Sequence, residues 1–582
     1  MDKSSILGNK WEILEYDVSK AMFFGQSLGL SPALSSILAS NPLITMEELR
    51  SFLSPSIKNL MPNPFESLLD VELAVVRIVK AIMQKEKIVI FGDYDVDGGT
   101  SCAIFKRFFN SIGVNCDIYI PDRVKEGYGP NSNALLELRK NGADLVITVD
   151  CGTVAFEPLL KANEAGLEII VIDHHLGVKE KPQSIAIINP NRFDETSQLT
   201  YLCGAGVTFM LIVALNMTLR KNNFYREVKE PNLLSLLDLV ALGTVCDVMP
   251  LVGLNRAFVK TGLEVVKAKT NLGLKTLLAI AGSEAEITEF TLGFIIGPRI
   301  NAGGRIGKST LGATLLSTQN EEEAIKIANE LHDLNSKRKD MEEASLEIAI
   351  KKIESLSLES HPVIFVQDEA FHQGIIGILA SRIKDRYNKP VAVFSCLDGY
   401  LKASLRSVEG LDLGSIIHKA HKKDLLIAGG GHASAGGLSV SKQKYDSLFN
   451  FFLEEVESAD FDFQKTIYAS TQITLNAVSP ELCLEVKKLA PFGNANPKPI
   501  FHFKSLIVVR CDVLKEAHVS LILKDQNSGK TAKAMFFKAH QMGVLHKLAG
   551  LYGKEVDVMA EVELNEWNGQ KSAVLHLVDV AV

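Results

Sequence analysis

The sequence predicts an α/β protein: a doubly wound parallel sheet, a long connector helix, a second α/β domain and a C-terminal OB-like β-barrel. Three observations lead there. Short apolar runs ending in acids recur between residues 88 and 173, with helix-length segments between them. A charged helical pattern then runs from residue 320 to about 355. From about residue 465, apolar and polar residues alternate between turn signals.

Taken in order, residues 1–65 read as a helical and irregular segment punctuated by Pro42, Pro55, Pro62 and Pro64, with Trp11 as its anchor. Val71 to Met83 is an amphipathic helix leading into the first strand. That strand, Ile88 to Phe91, is a short apolar run of the kind found buried in parallel sheets. It opens onto Gly92-Asp93-Tyr94-Asp95-Val96-Asp97-Gly98-Gly99. A second such run, Leu145 to Val149, ends at Asp150, and a third, Ile169 to Ile172, ends at Asp173-His174-His175. Leu236 to Val245 is apolar as well and is read as a fourth strand, ending at Cys246-Asp247. Asn320 and Glu323 resemble a capping box, and Ile327, Leu331, Leu334, Met341 and Ile348 mark the apolar face of the connector helix. Strands are expected at 362–366 and 390–394. In the barrel, Val519 to Leu523 alternates, Asp525 to Gly529 is a turn, and Trp567-Asn568-Gly569 joins a hairpin. The expected boundaries are 1–65, 66–319 for the first α/β domain, 320–356 for the connector, 357–457 for the second and 458–582 for the barrel.

A chain of 582 residues exceeds one hydrophobic core, so several domains are required. With 47% hydrophobic and 23% charged residues, it has the composition of a soluble globular protein. A net charge of -7 means that nucleic-acid contacts must come from local basic patches. The eight cysteines are scattered without a Cys-x-x-Cys pair and read as reduced thiols. Met1 is followed by Asp2-Lys3-Ser4-Ser5, and no apolar run reaches membrane length, so a cytoplasmic protein is expected.

The chemistry is concentrated at the strand ends. Three carboxylates at alternate positions of one short loop repel each other unless a cation neutralises them. A lone Asp-x-Asp is usually a solvated turn. Asp93, Asp95 and Asp97 after a buried strand point instead to a hard divalent ion. Asp150, Asp173, His174, His175 and Asp247 converge on the same edge if the strands are adjacent, which makes room for a two-metal centre. Mixed histidine and carboxylate donors suit manganese as well as magnesium. No serine-nucleophile or zinc-protease motif is present, so metal-assisted phosphoester hydrolysis is the natural reaction class.

Asp-Tyr-Asp-Val-Asp-Gly, Val-Asp-Cys-Gly, Asp-His-His and Gly-Thr-Val-Cys-Asp, in that order, resemble the DHH phosphoesterase superfamily. Gly430-Gly431-His432-Ala433-Ser434-Ala435-Gly436-Gly437 resembles the signature of its DHH-associated domain. The barrel and the domain order are similar to the branch of single-strand-specific 5′→3′ exonucleases. The resemblance implies two manganese or magnesium ions held by Asp93, Asp95, Asp97, Asp150, His174 and Asp247, with Asp150 bridging. His175 would lie beside the scissile phosphate, and Asp173 would orient the histidines. It also implies single-stranded DNA as substrate, a role in DNA repair and recombination, and a single-strand-binding protein and a helicase as partners.

Phosphate handling needs cations. Arg299-Ile300-Asn301-Ala302-Gly303-Gly304-Arg305 combines glycines with guanidiniums that fork onto phosphate, with a glycine-rich turn carrying solvated arginines as the alternative. Ser404 and Arg406 match the superfamily branch's 5′-phosphate pocket, Arg123 joins them, and His432 would face the metals across a cleft suited to a single strand. Phe501, Phe503, Phe536, Phe537 and Trp567 are candidates for tracking the strand, against the alternative of core filling. In Gly493-Asn494-Ala495-Asn496-Pro497, Ala495 stands where the family usually has glycine, a departure that bears on the local turn. Two other functions compete: a DHH hydrolase of short oligonucleotides, cyclic dinucleotides or pyrophosphate, and a replication scaffold that has lost its metals. The complete set of acids argues against the second, and the barrel with the Ser404–Arg406 pair against the first.

Overall fold

The computed structural model describes every residue except Met1, Asp2, Pro42, Val124, Asp398, 460–462 and Asn568. Pro42, Asn568 and the side chain of Trp567 therefore lie outside the described set. The chain forms two units. One holds residues 54–341 and 491–496, the other residues 1–53, 342–490 and 497–582.

In the first unit, strands β1 (Ile88–Gly92), β2 (Cys116–Tyr119), β3 (Leu145–Val149), β4 (Glu168–Ile172) and β5 (Ala186–Ile188) form a parallel sheet in the order β2-β1-β3-β4-β5. Successive side chains of a strand point to opposite faces. Ile88, Ile90, Leu145, Ile147, Ile170 and Ile172 enter one core, and Val89, Phe91, Val146, Ile169 and Val171 enter another. Both faces are covered, which is why these runs are apolar without alternation. The chain leaves β1 for one neighbour, β2, and returns on its other side as β3. Ligands of open α/β sheets sit at the carboxyl ends beside such a reversal, where Asp93 and Asp150 emerge.

The expected fourth acid-tipped strand is a helix. Helices α1 (Val96–Ser111) and α2 (Gly204–Lys221) precede α3 (Leu237–Cys246), whose residues Leu237–Thr244 are all buried. A run buried on every side shows neither the strand nor the helix period, and only its length of ten residues favours a helix. Asp247 thus caps a helix rather than ending a strand. Helix α4 (Gly253–Lys267) packs on α3 so closely that a Cβ at Gly262 would stand 2.2 Å from the Leu237 carbonyl oxygen. The glycine-rich turn weighed as the alternative around Arg299 does not form: the stretch is a helix, α5 (Gly297–Ile306), entered through a π-helical turn at Thr291–Ile296. Its glycines serve packing: a Cβ at Gly304 would meet the Tyr94 carbonyl oxygen at 2.6 Å.

The long helix α6 runs from Glu321 to Ser355. Asn320 caps it through Glu323 N at 3.0 Å, while the Glu323 carboxylate takes the Thr318 hydroxyl, so half of a capping box forms. One side of it is buried along its length. Ala324, Ile327, Ala328 and Leu331 join the first core, Asn335, Arg338, Glu342 and Ser345 are buried, and Ala349 and Ile353 enter a core of the second unit.

In the second unit, β6 (Ile364–Asp368), β7 (Val391–Cys396), β8 (Tyr400–Arg406), β9 (Ala428–Gly431) and β10 (Ala435–Ser441) form a mixed sheet in the order β9-β10-β8-β7-β6, with helix α7 (Ile376–Tyr387) packed on β7 and β8. The barrel strands are β11 (Phe501–Leu514), β12 (His518–Asp525), β13 (Thr531–Phe536), β14 (Glu555–Trp567) and β15 (Gln570–Ala581). Pairing of β11 with β14 closes them into a five-stranded OB-like barrel. Phe501, Phe503 and Phe536 fill its core, whereas Phe537 is exposed against His518 and His576. Residues at the N-terminus belong to this unit: Lys10–Ile13 pairs in parallel with Thr466–Ala469, and Trp11 donates to the buried Asp579 carboxylate at 2.9 Å.

Replacing Gly262 by alanine tests the α3–α4 approach. Alanine gains helix propensity of about 1 kcal/mol, but overpacking against a backbone carbonyl costs about 1–3 kcal/mol. A urea melt should show net destabilisation. A raised midpoint would mean that the helices are not this close.

Candidate metal centre and phosphate-binding residues

The acidic loop is folded by its own hydrogen bonds. Asp95 caps α1, accepting from Asp97 N at 2.8 Å and Gly98 N at 3.1 Å. An anion is favoured at a helix N-terminus. A Cβ at Gly98 would lie 2.4 Å from the Asp93 carbonyl oxygen, so only glycine permits the fold-back. The first turn of α1 presents Asp97, whose carboxylate accepts from Gly204 N at 2.6 Å and Ala205 N at 2.9 Å, at the start of α2. Side chains at Gly204 or Gly243 would intrude on that carboxylate at 2.9 and 2.6 Å.

Asp150 follows β3 with φ +61°, a left-handed conformation that costs a residue other than glycine energy and is common where function demands it. His174 Nε2 lies 3.1 Å from Asp150 Oδ1, 3.5 Å from Asp247 Oδ2 and 3.8 Å from Asp97 Oδ2. Three sets of donor atoms lie within 4.8 Å of one another: Asp93, Asp95 and Asp150; Asp97, His174 and Asp247; and Asp150, His174 and His175. The structure therefore brings all six expected ligands together.

The residues present fit divalent cations. Asp93 Oδ1, Asp150 Oδ1 and His174 Nε2 are buried without an aligned hydrogen-bond partner. Leaving such atoms unmatched is costly. Burial, and then the charges of neighbouring carboxylates, push Asp93 and Asp150 well above the usual carboxylate range and Asp247 up to about 8. Asp97 is also raised by burial and by Asp95, against the attraction of His174. Burial lowers His174, so it presents a neutral imidazole to the acids, the form that binds metals. Another acidic group, Glu561, Glu563 and His576 on the barrel, already has a counter-charge: Lys498 pairs with both glutamates.

His175 differs from its neighbour. Burial disfavours its charge, but the Asp173 carboxylate, 2.8 Å from Nδ1, outweighs this and raises it to about 9. Asp173 is itself buried; the His175 bond, that cation and the Thr153 N–H hold it down at about 2. Asp173 also accepts from His174 N and His175 N, so it orients both histidines. Sequence reasoning missed three supporting residues. Tyr128 places its hydroxyl 3.2 Å from His175 Nδ1 and donates to the Asp150 carbonyl. Asn189 donates to the carbonyl of His175 and Asn191 to that of His174. Their signals were Gly127-Tyr128-Gly129 and Asn189-Pro190-Asn191, which by themselves read as turns.

Among the expected phosphate ligands, Arg123 stacks over the Tyr94 ring at 4.7 Å, and its charge reaches Asp93. Arg305, at the last turn of α5, acts electrostatically on Tyr94. Asn301 lies on the same helix, between the two arginines. Arg299 is turned back, donating to the Ile295 carbonyl at 2.6 Å and to His332 Nδ1 at 3.4 Å. In the second unit, Arg406 Nη1 donates to Ser404 Oγ at 3.3 Å and its Nε to Ser381 Oγ at 3.2 Å. Ser404 and Arg406 sit on β8, paired with Gly437 and Ala435 of the β9–β10 hairpin, whose exposed turn carries His432. A Cβ at Gly377, on α7, would stand 3.2 Å from both side chains.

A parallel sheet whose switch point gathers aspartates and a histidine pair for divalent ions defines a DHH-type phosphoesterase domain. The DHH family N-terminal domain matches residues 87–244, the DHHA1 domain 360–458 and the RecJ OB domain 470–579. The chain is 32% identical to the single-stranded-DNA-specific exonuclease RecJ of Bacillus subtilis over 98% of its own length and 71% of the relative's. It is 33% identical to that of Escherichia coli, over 93% and 94%. The crystal structure of RecJ from Thermus thermophilus in complex with Mn2+ superposes with a TM-score of 0.82 at 28% identity, covering 98% of this chain and 79% of that one; its Mg2+ complex gives 0.74 at 26%, covering 98% and 78%. The chain belongs to the RecJ family.

Metal and protons compete for these acids. The Asp247 carboxyl, normally near 3.8, holds its proton up to about 8 in the metal-free fold. Between those values the folded state binds more protons than the unfolded one, so the metal-free protein loses stability as pH rises. Its melting temperature in chelator should fall from about pH 5 to about pH 8, and the gain on adding Mn2+ should grow over that interval. An equal gain at both ends would mean that these carboxylates are not the ligands.

Proposed function

We propose that the protein is a metal-dependent exonuclease that degrades single-stranded DNA from its 5′ end, releasing 5′-mononucleotides, in DNA repair and recombination. The observation that carries this reading is the buried Asp93–Asp150–His174 centre, with an atom of each lacking a hydrogen-bond partner, in a chain whose RecJ relatives are named single-stranded-DNA-specific exonucleases. Asp93, Asp95, Asp97, Asp150, His174 and Asp247 would hold two ions, manganese or magnesium, with Asp150 shared between the donor sets. Bound there, the ions would activate water and neutralise charge at the phosphate.

The chain's own residues do the rest. His175, protonated at neutral pH and oriented by Asp173 and Tyr128, donates a charge-assisted hydrogen bond to the scissile phosphate. Arg123, Arg299, Asn301 and Arg305 hold phosphates near the acidic loop. Ser404 and Arg406 take the 5′-terminal phosphate, and His432, on the exposed turn of the same unit, contacts the substrate. Catalysis is assigned to 66–319, the connector to 320–356, end recognition to 357–457 and strand guidance to 458–582. No helix among the described residues is long and apolar enough to cross a membrane, and we place the protein in the cytoplasm, acting with a single-strand-binding protein and a helicase.

Digestion of 5′- and 3′-labelled single strands, DNA and RNA, with Mn2+ or Mg2+ tests the reading: mononucleotides should appear from the 5′ end only. Cleavage of cyclic dinucleotides in preference to strands would assign a different DHH chemistry.

Asp150→Asn isolates the shared carboxylate, because asparagine tolerates the left-handed backbone that alanine resists. Losing the charge of a carboxylate that would hold metal is worth several kcal/mol, so activity should fall by about 10²–10³-fold with circular dichroism unchanged. Near-normal activity in the folded, metal-loaded variant would remove Asp150 from the centre.

Arg406→Ala tests end selection. A hydrogen bond to a charged group is worth about 1.5–3 kcal/mol, so the rate ratio between 5′-phosphate and 5′-hydroxyl strands should drop by about tenfold or more. Arg406→Lys should rescue partly, since it keeps the charge and loses the fork. An unchanged ratio places the end pocket elsewhere.

A further inference from the structure

Residues 491–496 stand far beyond α3 in sequence, yet they pack within the unit that carries the carboxylates. The contact falls immediately after Asp247. Leu251 N donates to the Asn494 carbonyl oxygen at 2.9 Å, and Asn494 Nδ2 donates to the Val248 carbonyl oxygen at 2.8 Å. One residue thus holds both ends of the Val248–Leu251 turn.

The segment is anchored on both sides of that grip. Phe492 N donates to Glu289 at 2.9 Å, and the buried Arg256 donates to the Pro491 carbonyl at 3.2 Å. Gly493 and Asn496 exchange backbone hydrogen bonds of 2.9 and 3.1 Å, and Asn496 Nδ2 donates to the Pro491 carbonyl at 2.7 Å. A Cβ at Gly493 would stand 2.9 Å from Leu251 Cδ1, so glycine is what lets the segment lie this close. The turn itself forms although Ala495 replaces the usual glycine: Ala495 adopts φ +59°.

Val248 has φ +56°. For a β-branched residue this is a true outlier, sustained only where the surroundings over-determine it. Its side chain is exposed, so packing does not impose the conformation. The turn also closes α3: Val248 N donates to the Val245 carbonyl oxygen at 3.2 Å and Met249 N to that of Thr244 at 3.1 Å, directly after Asp247, whose carboxylate stands 3.5 Å from His174.

We infer that Asn494 is a positioning residue for the metal centre: it clamps Val248 in its left-handed turn and so fixes the Asp247 carboxylate. This rests on the reading of Asp247 as a metal ligand. The clamp acts through the Val248 backbone, so glycine at 248, which adopts that conformation freely, makes it dispensable.

The test is calorimetric titration of the full-length, metal-stripped protein with Mn2+, alongside the melting temperature in chelator. Asn494→Ala should weaken Mn2+ binding by about tenfold, the lower range for groups that orient ligands. Val248→Gly alone should bind within about twofold of wild type, and the double variant should recover to about that level. A purely structural role for Asn494 would lower the melting temperature in chelator and gain nothing from glycine at 248. If wild type binds no Mn2+, the metal reading fails. If wild type binds and Asn494→Ala binds equally well, or the double variant stays as weak as Asn494→Ala, the positioning role fails.

Discussion

The constraint on which the rest depends is electrostatic. Asp93, Asp97 and Asp150 are each under 5% exposed and lie close to Asp95 and Asp247. Removing one carboxylate from water is expensive, and gathering several at one point adds their repulsion. Such a centre folds only if backbone donors, protons or cations balance it. The protein supplies the first through helix ends: Asp95 caps α1 and Asp97 takes the free N–H groups at the start of α2. These bonds use some oxygens and leave others, with His174 Nε2, facing one another unmatched. The architecture around the site follows from bringing helix N-termini and strand ends to one spot.

That gathering requires backbones to approach within side-chain distance. Gly98, Gly204, Gly243 and Gly304 surround the acids, and at each a Cβ would stand under 3.0 Å from the acidic loop, from Asp97 or Asp150, or from a neighbouring helix. In the sequence the Gly303–Gly304 pair left a glycine-rich turn open as an alternative. In the fold it permits a helix to lie against the loop that bears the acids. Of the two arginines on that helix, Arg305 acts on Tyr94 of the acidic loop, while Arg299 is turned back onto the Ile295 carbonyl and His332.

How much was legible follows from the periods involved. Buried parallel strands are short apolar runs, and Ile88–Phe91, Leu145–Val149 and Ile169–Ile172 carried that signature together with their terminal acids. That these acids gather at one place could be read because they follow runs that cannot be surface. The same logic failed at Leu237–Cys246, where burial on all sides erases the period and a helix mimics a long strand. Asp247 survived the error, since either element delivers its terminal residue to the centre. Hidden from sequence were interactions between distant segments: Tyr128 on His175, Asn189 and Asn191 on the histidine carbonyls, and the 491–496 segment on the turn after Asp247. No local pattern encodes them, because each side chain reads locally as a turn residue.

The adjacent histidines show how one dipeptide serves two purposes. His174 is largely withdrawn from water and the His175 side chain is 40% exposed, and burial disfavours charge on both rings. The difference lies in which acid each one meets. His174 faces carboxylates that are themselves raised and compete for protons, so burial prevails and a neutral nitrogen lone pair points into the centre. His175 meets Asp173, whose charge is secured by backbone N–H groups and which therefore stabilises a proton on the ring. The buried Asp173, itself in none of the three donor sets, therefore leaves one ring of the pair neutral and the other protonated.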